Sequence, residues 1–98
     1  MANELNALPS KPGIYRIETV SGTVHIISTI GRATWERRPA AGAGVARYDY
    51  RAATLSELGP GWEIGSRGQL VVADETYGSG ATWHVTAPIV AIVEEPNS

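Results

Sequence analysis

The sequence predicts an all-β protein, a small antiparallel barrel or sandwich of five to eight short strands with at most one short helical turn. Two observations lead to this expectation. Short apolar, β-branched runs with alternating polar positions recur along the chain, as in half-buried strands. Eleven glycines and six prolines separate these runs at close intervals, as the turns of a small sheet require.

The first predicted hairpin occupies residues 13–30. Two β-branched runs flank a Ser21-Gly22 dipeptide, and this arrangement is a hairpin signal. A two-residue loop places Ile17 opposite Ile26, which gives both strands a largely apolar inner face and leaves His25 outside. A three-residue loop with the glycine in a bulge instead places Ile17 opposite His25. A one-residue slip exchanges the two faces of a strand, so the apolar match favours the two-residue loop.

The rest of the chain is predicted to add further strands to this hairpin. Capping-box spacing at residues 54–57 predicts one helical turn. Residues 1–12 are polar and lack a strand period, which predicts a flexible N-terminal tail ahead of a single β domain at residues 13–95. The last strand is expected to close the sheet. The further strands are predicted at residues 34–38, 45–51, 62–64, 69–74, 81–87 and 89–93.

Composition narrows the class of protein. The chain of 98 residues contains no cysteine, so disulfides and thiolate chemistry are excluded. Its longest apolar run, residues 87–93, is far shorter than the roughly 20 residues that span a bilayer, and the N-terminus shows no signal-peptide pattern. We therefore expect a soluble cytoplasmic protein with no membrane partner. Phenylalanine is absent, so the aromatic part of the core is expected from Trp35, Trp62, Trp83 and the tyrosines.

The sequence contains no recognisable catalytic or metal-binding motif. Its two histidines, His25 and His84, lack the spacing of a metal site, and no nucleophile elbow is present. The acidic pairs at residues 74–75 and 94–95 are sequential, so on a strand they point to opposite faces. We expect no catalytic residue, no metal and no cofactor. The enzyme alternative requires a concave pocket that holds an imidazole together with carboxylates.

One stretch combines arginines with aromatic residues. Residues 32–51 carry five arginines against two acids, a balance of +3, whereas residues 52–98 carry one arginine against six acids, a balance of −5. Arginine, tryptophan and tyrosine are enriched at protein-binding hot spots and also hold single-stranded nucleic acid. In a third interpretation the aromatic side chains point into the core and the arginines are merely solvated. The candidate binding residues are Trp35, Arg37, Arg38, Arg47, Tyr48, Tyr50 and Arg51.

Two short patterns resemble small, uncharacterised β proteins of actinobacteria and their phages. They are Gly13-x-Tyr15-Arg16-x-x-Thr19-x-Ser21-Gly22-x-Val24 and Thr86-x-Pro88-x-Val90-x-Ile92. The resemblance implies an actinobacterial or phage origin, hence the cytoplasm of a bacterial or phage-infected host cell, and it implies no activity.

The sequence therefore favours a non-catalytic interaction protein. A phage-encoded protein that acts on a host protein is the form that the resemblance suggests. Two alternatives remain open, a small β-barrel that binds single-stranded nucleic acid and a small structural or assembly protein of a phage. The sequence pI of about 5.6 disfavours nucleic acid, because dedicated binders are usually basic. Exposed sheet edges can pair between chains, so a homodimer is also open.

Overall fold

The computed structural model describes residues 3–40, 52–73 and 82–96. Within these ranges the chain forms one antiparallel sheet in the order β1-β8-β2-β3-β4-β5-β6-β7 and contains no helix. The all-β prediction is therefore confirmed, and over the described residues the sheet is open rather than closed into a barrel. The strands are β1 (Asn3–Leu5), β2 (Ile14–Thr19), β3 (Val24–Ser28), β4 (Thr34–Arg38), β5 (Ala53–Leu58), β6 (Gln69–Val72), β7 (Thr82–Val85) and β8 (Ile89–Glu95).

The first hairpin forms in the register that the sequence argument disfavoured. Ile17 lies opposite His25, and the backbone N–H of Gly22 donates to the carbonyl of Thr19 at 2.9 Å. Gly22 has a φ of 89°, the left-handed conformation of a bulge glycine after a three-residue loop. The prediction of a two-residue loop is therefore wrong. The slip turns His25 and Ile27 towards the core and the alternate β3 residues towards the other face, as the period of two requires.

Residues 3–5 pair with the sheet and Leu8 and Lys11 make contacts with it, whereas the sequence predicted a flexible tail. β1 pairs with β8, with Leu5 opposite Ile92. The backbone N–H of Leu8 donates to the carbonyl of Trp62 at 2.8 Å, and Lys11 lies 3.0 Å from a carboxylate oxygen of Glu94. The polar composition of this segment does not indicate a strand. β1 forms because its backbone supplies the hydrogen bonds that one edge of β8 needs. Strand β8 thus lies between β1 and β2 instead of closing the sheet.

The residues with capping-box spacing form strand β5 and not a helical turn. Leu55 pairs with Val72, and the register then shifts before Glu57 pairs with Val71. Burial of Leu55 against the core overrides the weak local helix signal. In the predicted strand at residues 62–64 only an isolated bridge between Glu63 and Ala7 forms. The predicted strand at residues 45–51 lies outside the described residues.

The sheet is strongly curled around one core. Trp35 on β4 and His84 on β7 have ring centroids 4.8 Å apart, although three strand spacings separate β4 from β7 in the sheet order. In a flat sheet that separation is about 14 Å, so the inner faces of the strands must approach each other. The core consists of Tyr15, Ile17, Ile27, Trp35, Leu55, Trp62, Leu70, Val72, Ile89 and Ile92.

The described chain contains no helix long and apolar enough to cross a membrane.

Candidate functional site

The structure places Trp35 in the core and not on a binding surface. Its side chain is 1% exposed, and the indole N–H donates a hydrogen bond to Nδ1 of His25 at 2.9 Å. Trp35 occupies an inward position of β4, and the curl of the sheet covers that face. Trp35 thus has the position that the third interpretation gave it, with its side chain pointing into the core. A buried indole offers no face for stacking a base.

The two described arginines of the candidate patch do not share a surface. Successive residues of a strand point to opposite faces, so Arg37 lies on the side of Trp35 and Arg38 on the other. Arg37 is half-buried. Arg38 is exposed, and its Nε lies 2.7 Å from a carboxylate oxygen of Glu36. The remaining candidates, Arg47, Tyr48, Tyr50 and Arg51, lie outside the described residues.

Both imidazoles belong to a cluster around Trp35. His25 is 5% exposed and stacks on Trp35 with ring centroids 5.9 Å apart, so the prediction that it lies outside the core is wrong. Because Nδ1 of His25 accepts the indole hydrogen bond, a neutral ring carries its proton on Nε2. Burial, and secondly the charge of Arg37, lower the pKa of His84 below its usual value of 6.5. The environment of His84 thus favours the neutral ring.

The described residues bring no group of three histidine, aspartate or glutamate side chains together in a way that could hold a metal ion. Two surface clefts lie on either side of residues 58–60, and neither is lined by an imidazole. The larger, of about 410 Å³, has one ionisable side chain, Glu63.

The most exposed aromatic side chain in the described structure is Trp83. It lies on β7 and is 65% exposed, and Val85, two residues on and therefore on the same face, is 50% exposed. Val71 of β6 lies directly opposite Trp83, and Glu57 of β5 lies opposite Val71. The three strands thus present one row of side chains, carboxylate, valine and indole, to the outside. We call the surface formed by Glu57, Val71, Trp83 and Val85 the outer face.

The outer face contains the second cleft, of about 270 Å³, which the row of three side chains lines together with Gly59, Pro60 and neighbouring β6 residues. Pockets for whole small molecules are usually about 300–1,000 Å³, so this cleft fits one or two side chains better than a metabolite.

The end of the cleft at residues 59–60 is held by backbone hydrogen bonds. The N–H of Gly59 donates to the carbonyl of Gln69 at 2.8 Å, and the N–H of Gln69 donates to the carbonyl of Pro60 at 3.0 Å. The next residue, Gly61, has a φ of 94°, and a Cβ there would clash with the carbonyl oxygen of Arg67, so only glycine fits this turn. The two backbone hydrogen bonds fix the residues that line this end of the cleft before any partner arrives.

Sequence reasoning missed Trp83 as a surface residue. The absence of phenylalanine favoured an inward tryptophan at position 83. On β7 the alternation instead turns His84 towards Trp35 and Trp83 outward. Because either residue can occupy the inner position of a four-residue strand, no local signal distinguishes the two arrangements.

Comparison with known proteins gives no match: no protein-family model, no curated protein and no solved structure is significantly similar to this chain. The function therefore has to be inferred from the surface chemistry of the chain itself.

Proposed function

We propose that this chain is a non-catalytic interaction protein that binds a protein partner through the outer face of strands β5 to β7. The observation that carries the proposal is the exposure of Trp83, which is 65% accessible beside the apolar side chains of Val71 and Val85. Tryptophan is the residue type most enriched at binding hot spots. Isolated apolar residues on a surface are normal, but these three are adjacent on neighbouring strands.

Covering Trp83 with a partner would contribute a large favourable free energy to binding. A tryptophan buries up to about 150–250 Å², so its exposed fraction of 65% leaves about 100–160 Å² for a partner to cover. At about 25 cal/mol per Å² this area corresponds to about 2–4 kcal/mol, the size of a typical hot-spot contribution. The preformed cleft beside the indole reduces the ordering that binding would otherwise require.

The origin of the partner follows from the resemblance of the first hairpin and last strand to small proteins of actinobacteria and their phages. That resemblance supports a phage-encoded protein whose partner is a host protein.

A matched pair of exposed positions tests the binding face. Trp83 and Val20 are both 65% exposed, but Val20 lies in the loop between β2 and β3 and is not one of the outer-face residues.

The experiment is affinity capture from an actinobacterial lysate with the wild-type chain, Trp83→Ser and Val20→Ser. We expect the wild type and Val20→Ser to retain the same partner and Trp83→Ser to lose it. All three proteins should have the same thermal midpoint, because both side chains are exposed. Retention of the partner by Trp83→Ser, or capture of no partner by the wild type, would refute the proposal.

A further inference from the structure

The outer face combines an indole and a carboxylate at a distance that suits one cationic side chain. Glu57, Val71 and Trp83 lie opposite one another on three adjacent strands. Neighbouring strands are about 4.8 Å apart, so the backbones at Glu57 and Trp83 are about 10 Å apart. All three side chains line the same cleft, with the valine as its apolar floor.

The carboxylate of Glu57 is available for a partner. Its side chain is exposed, and in residues 3–40, 52–73 and 82–96 no ion pair involves it. The ion pairs between side chains of the described residues are instead those of Lys11 with Glu94, Arg16 with Glu18, and Arg38 with Glu36. Residues 52–98 also carry a charge balance of −5, which favours a cationic over an anionic partner.

We propose, on the basis of the binding function proposed above, that the outer face recognises an arginine side chain of its protein partner. The guanidinium group stacks on the indole of Trp83 and pairs with the carboxylate of Glu57, while its methylene stem lies on Val71. Arginine fits better than lysine, because its planar group both stacks on an aromatic face and binds a carboxylate through two parallel hydrogen bonds. The occupant is therefore an arginine-bearing segment of another protein.

The experiment measures binding of short peptides by NMR. The probe is acetyl-Gly-Val-Arg-Val-Gly-amide, compared with peptides that carry citrulline, lysine or glutamate in place of arginine. Citrulline keeps the shape of arginine but has no charge. The readout is the indole N–H signal of Trp83, which is assigned by its loss in Trp83→Phe. The indoles of Trp35 and Trp62 are buried and serve as internal references.

We expect the arginine peptide to shift the Trp83 signal and to bind about 4–25-fold more tightly than the citrulline peptide, since an exposed cation–π contact and an exposed ion pair each contribute about 2–5-fold. Lysine should be intermediate and glutamate weakest. Glu57→Gln should weaken arginine binding about 2–5-fold. The matched control is Glu63→Gln, because Glu63 is also exposed but lines the neighbouring cleft, and it should leave binding unchanged.

Four results would overturn the arginine assignment. The first three are equal binding of the arginine and citrulline peptides, equal effects of Glu57→Gln and Glu63→Gln, and no shift of the Trp83 signal at 10 mM peptide. A Trp83-dependent dimer that excludes the arginine peptide would also overturn it, because the occupant would then be a second copy. If capture of a partner still depends on Trp83, the binding function stands while the arginine assignment fails.

Discussion

The same substitution at two tryptophans of the same sheet is expected to change the free energy of unfolding by very different amounts. Trp35 is 1% exposed and Trp83 is 65% exposed, so Trp35→Phe and Trp83→Phe form a matched pair. Trp35→Phe removes the hydrogen-bond donor to Nδ1 of His25, which lies 2.9 Å from the indole nitrogen. Loss of a buried partner costs about 1–3 kcal/mol, and the smaller ring adds about 1 kcal/mol for the space it leaves.

We therefore expect Trp35→Phe to lower the free energy of unfolding by about 2–4 kcal/mol, out of a typical total of about 5–15 kcal/mol. For a domain of this size that loss corresponds to a fall in Tm of roughly 10–25 °C. Trp83→Phe should stay within about 0.5 kcal/mol of the wild type, as exposed substitutions do. The measurement is urea unfolding followed by circular dichroism, because both substitutions alter tryptophan fluorescence.

A double-mutant cycle separates the hydrogen bond from the change of volume. Replacement of both partners by apolar side chains of similar shape removes the unsatisfied polar atom. The variant with both His25→Phe and Trp35→Phe should therefore be at least about 1 kcal/mol more stable than the sum of the single effects predicts. Additive effects, or equal losses for Trp35→Phe and Trp83→Phe, would contradict the account of the buried cluster.

Two further predictions concern pH and the turn beside the cleft. Burial and the charge of Arg37 lower the pKa of His84 from 6.5, so the unfolded chain binds this proton more readily than the folded chain. The contribution of His84 to stability is therefore complete above pH 6.5 and is lost as the pH falls through the lowered pKa. Urea midpoints measured from pH 8 to pH 5 should fall with decreasing pH, and more steeply in the wild type than in His84→Gln; parallel curves would contradict this assignment. Gly61→Ala should lower the Tm more than Gly65→Ala, because both glycines have positive φ but only at Gly61 does the added Cβ meet a backbone oxygen, that of Arg67. Equal Tm values for the two variants, measured by differential scanning calorimetry, would show that the turn yields.

The strands were largely predictable from local pattern. The alternating runs of β2, β3 and β8 and the proline that ends β4 define where the chain is extended, because the period of two and the turn residues act over a few positions. Strand β1 was missed, because three residues of polar chain carry no period of their own. Its pairing depends on the free edge of β8, which lies almost ninety residues away in sequence.

The candidate site was less predictable than the fold. The sequence placed a binding patch around Trp35, and the structure shows an indole in the core and a pair of described arginines on opposite faces. The outer face was not foreseen, because Glu57, Val71 and Trp83 come from three strands and meet only through strand pairing. Nothing in the sequence near any one of them indicates the other two.

The amino-acid sequence by itself determined the class of fold, since alternation, β-branched residues and frequent glycine and proline leave the chain little choice but short strands. The tertiary structure alone decided which side of each strand is covered. His25 can point inward because Trp35, on the next strand, offers a hydrogen bond to it, and Trp83 points outward because His84 takes the inner position against the same indole. Burial belongs to the curled sheet as a whole, so it cannot be read from the residues of one strand.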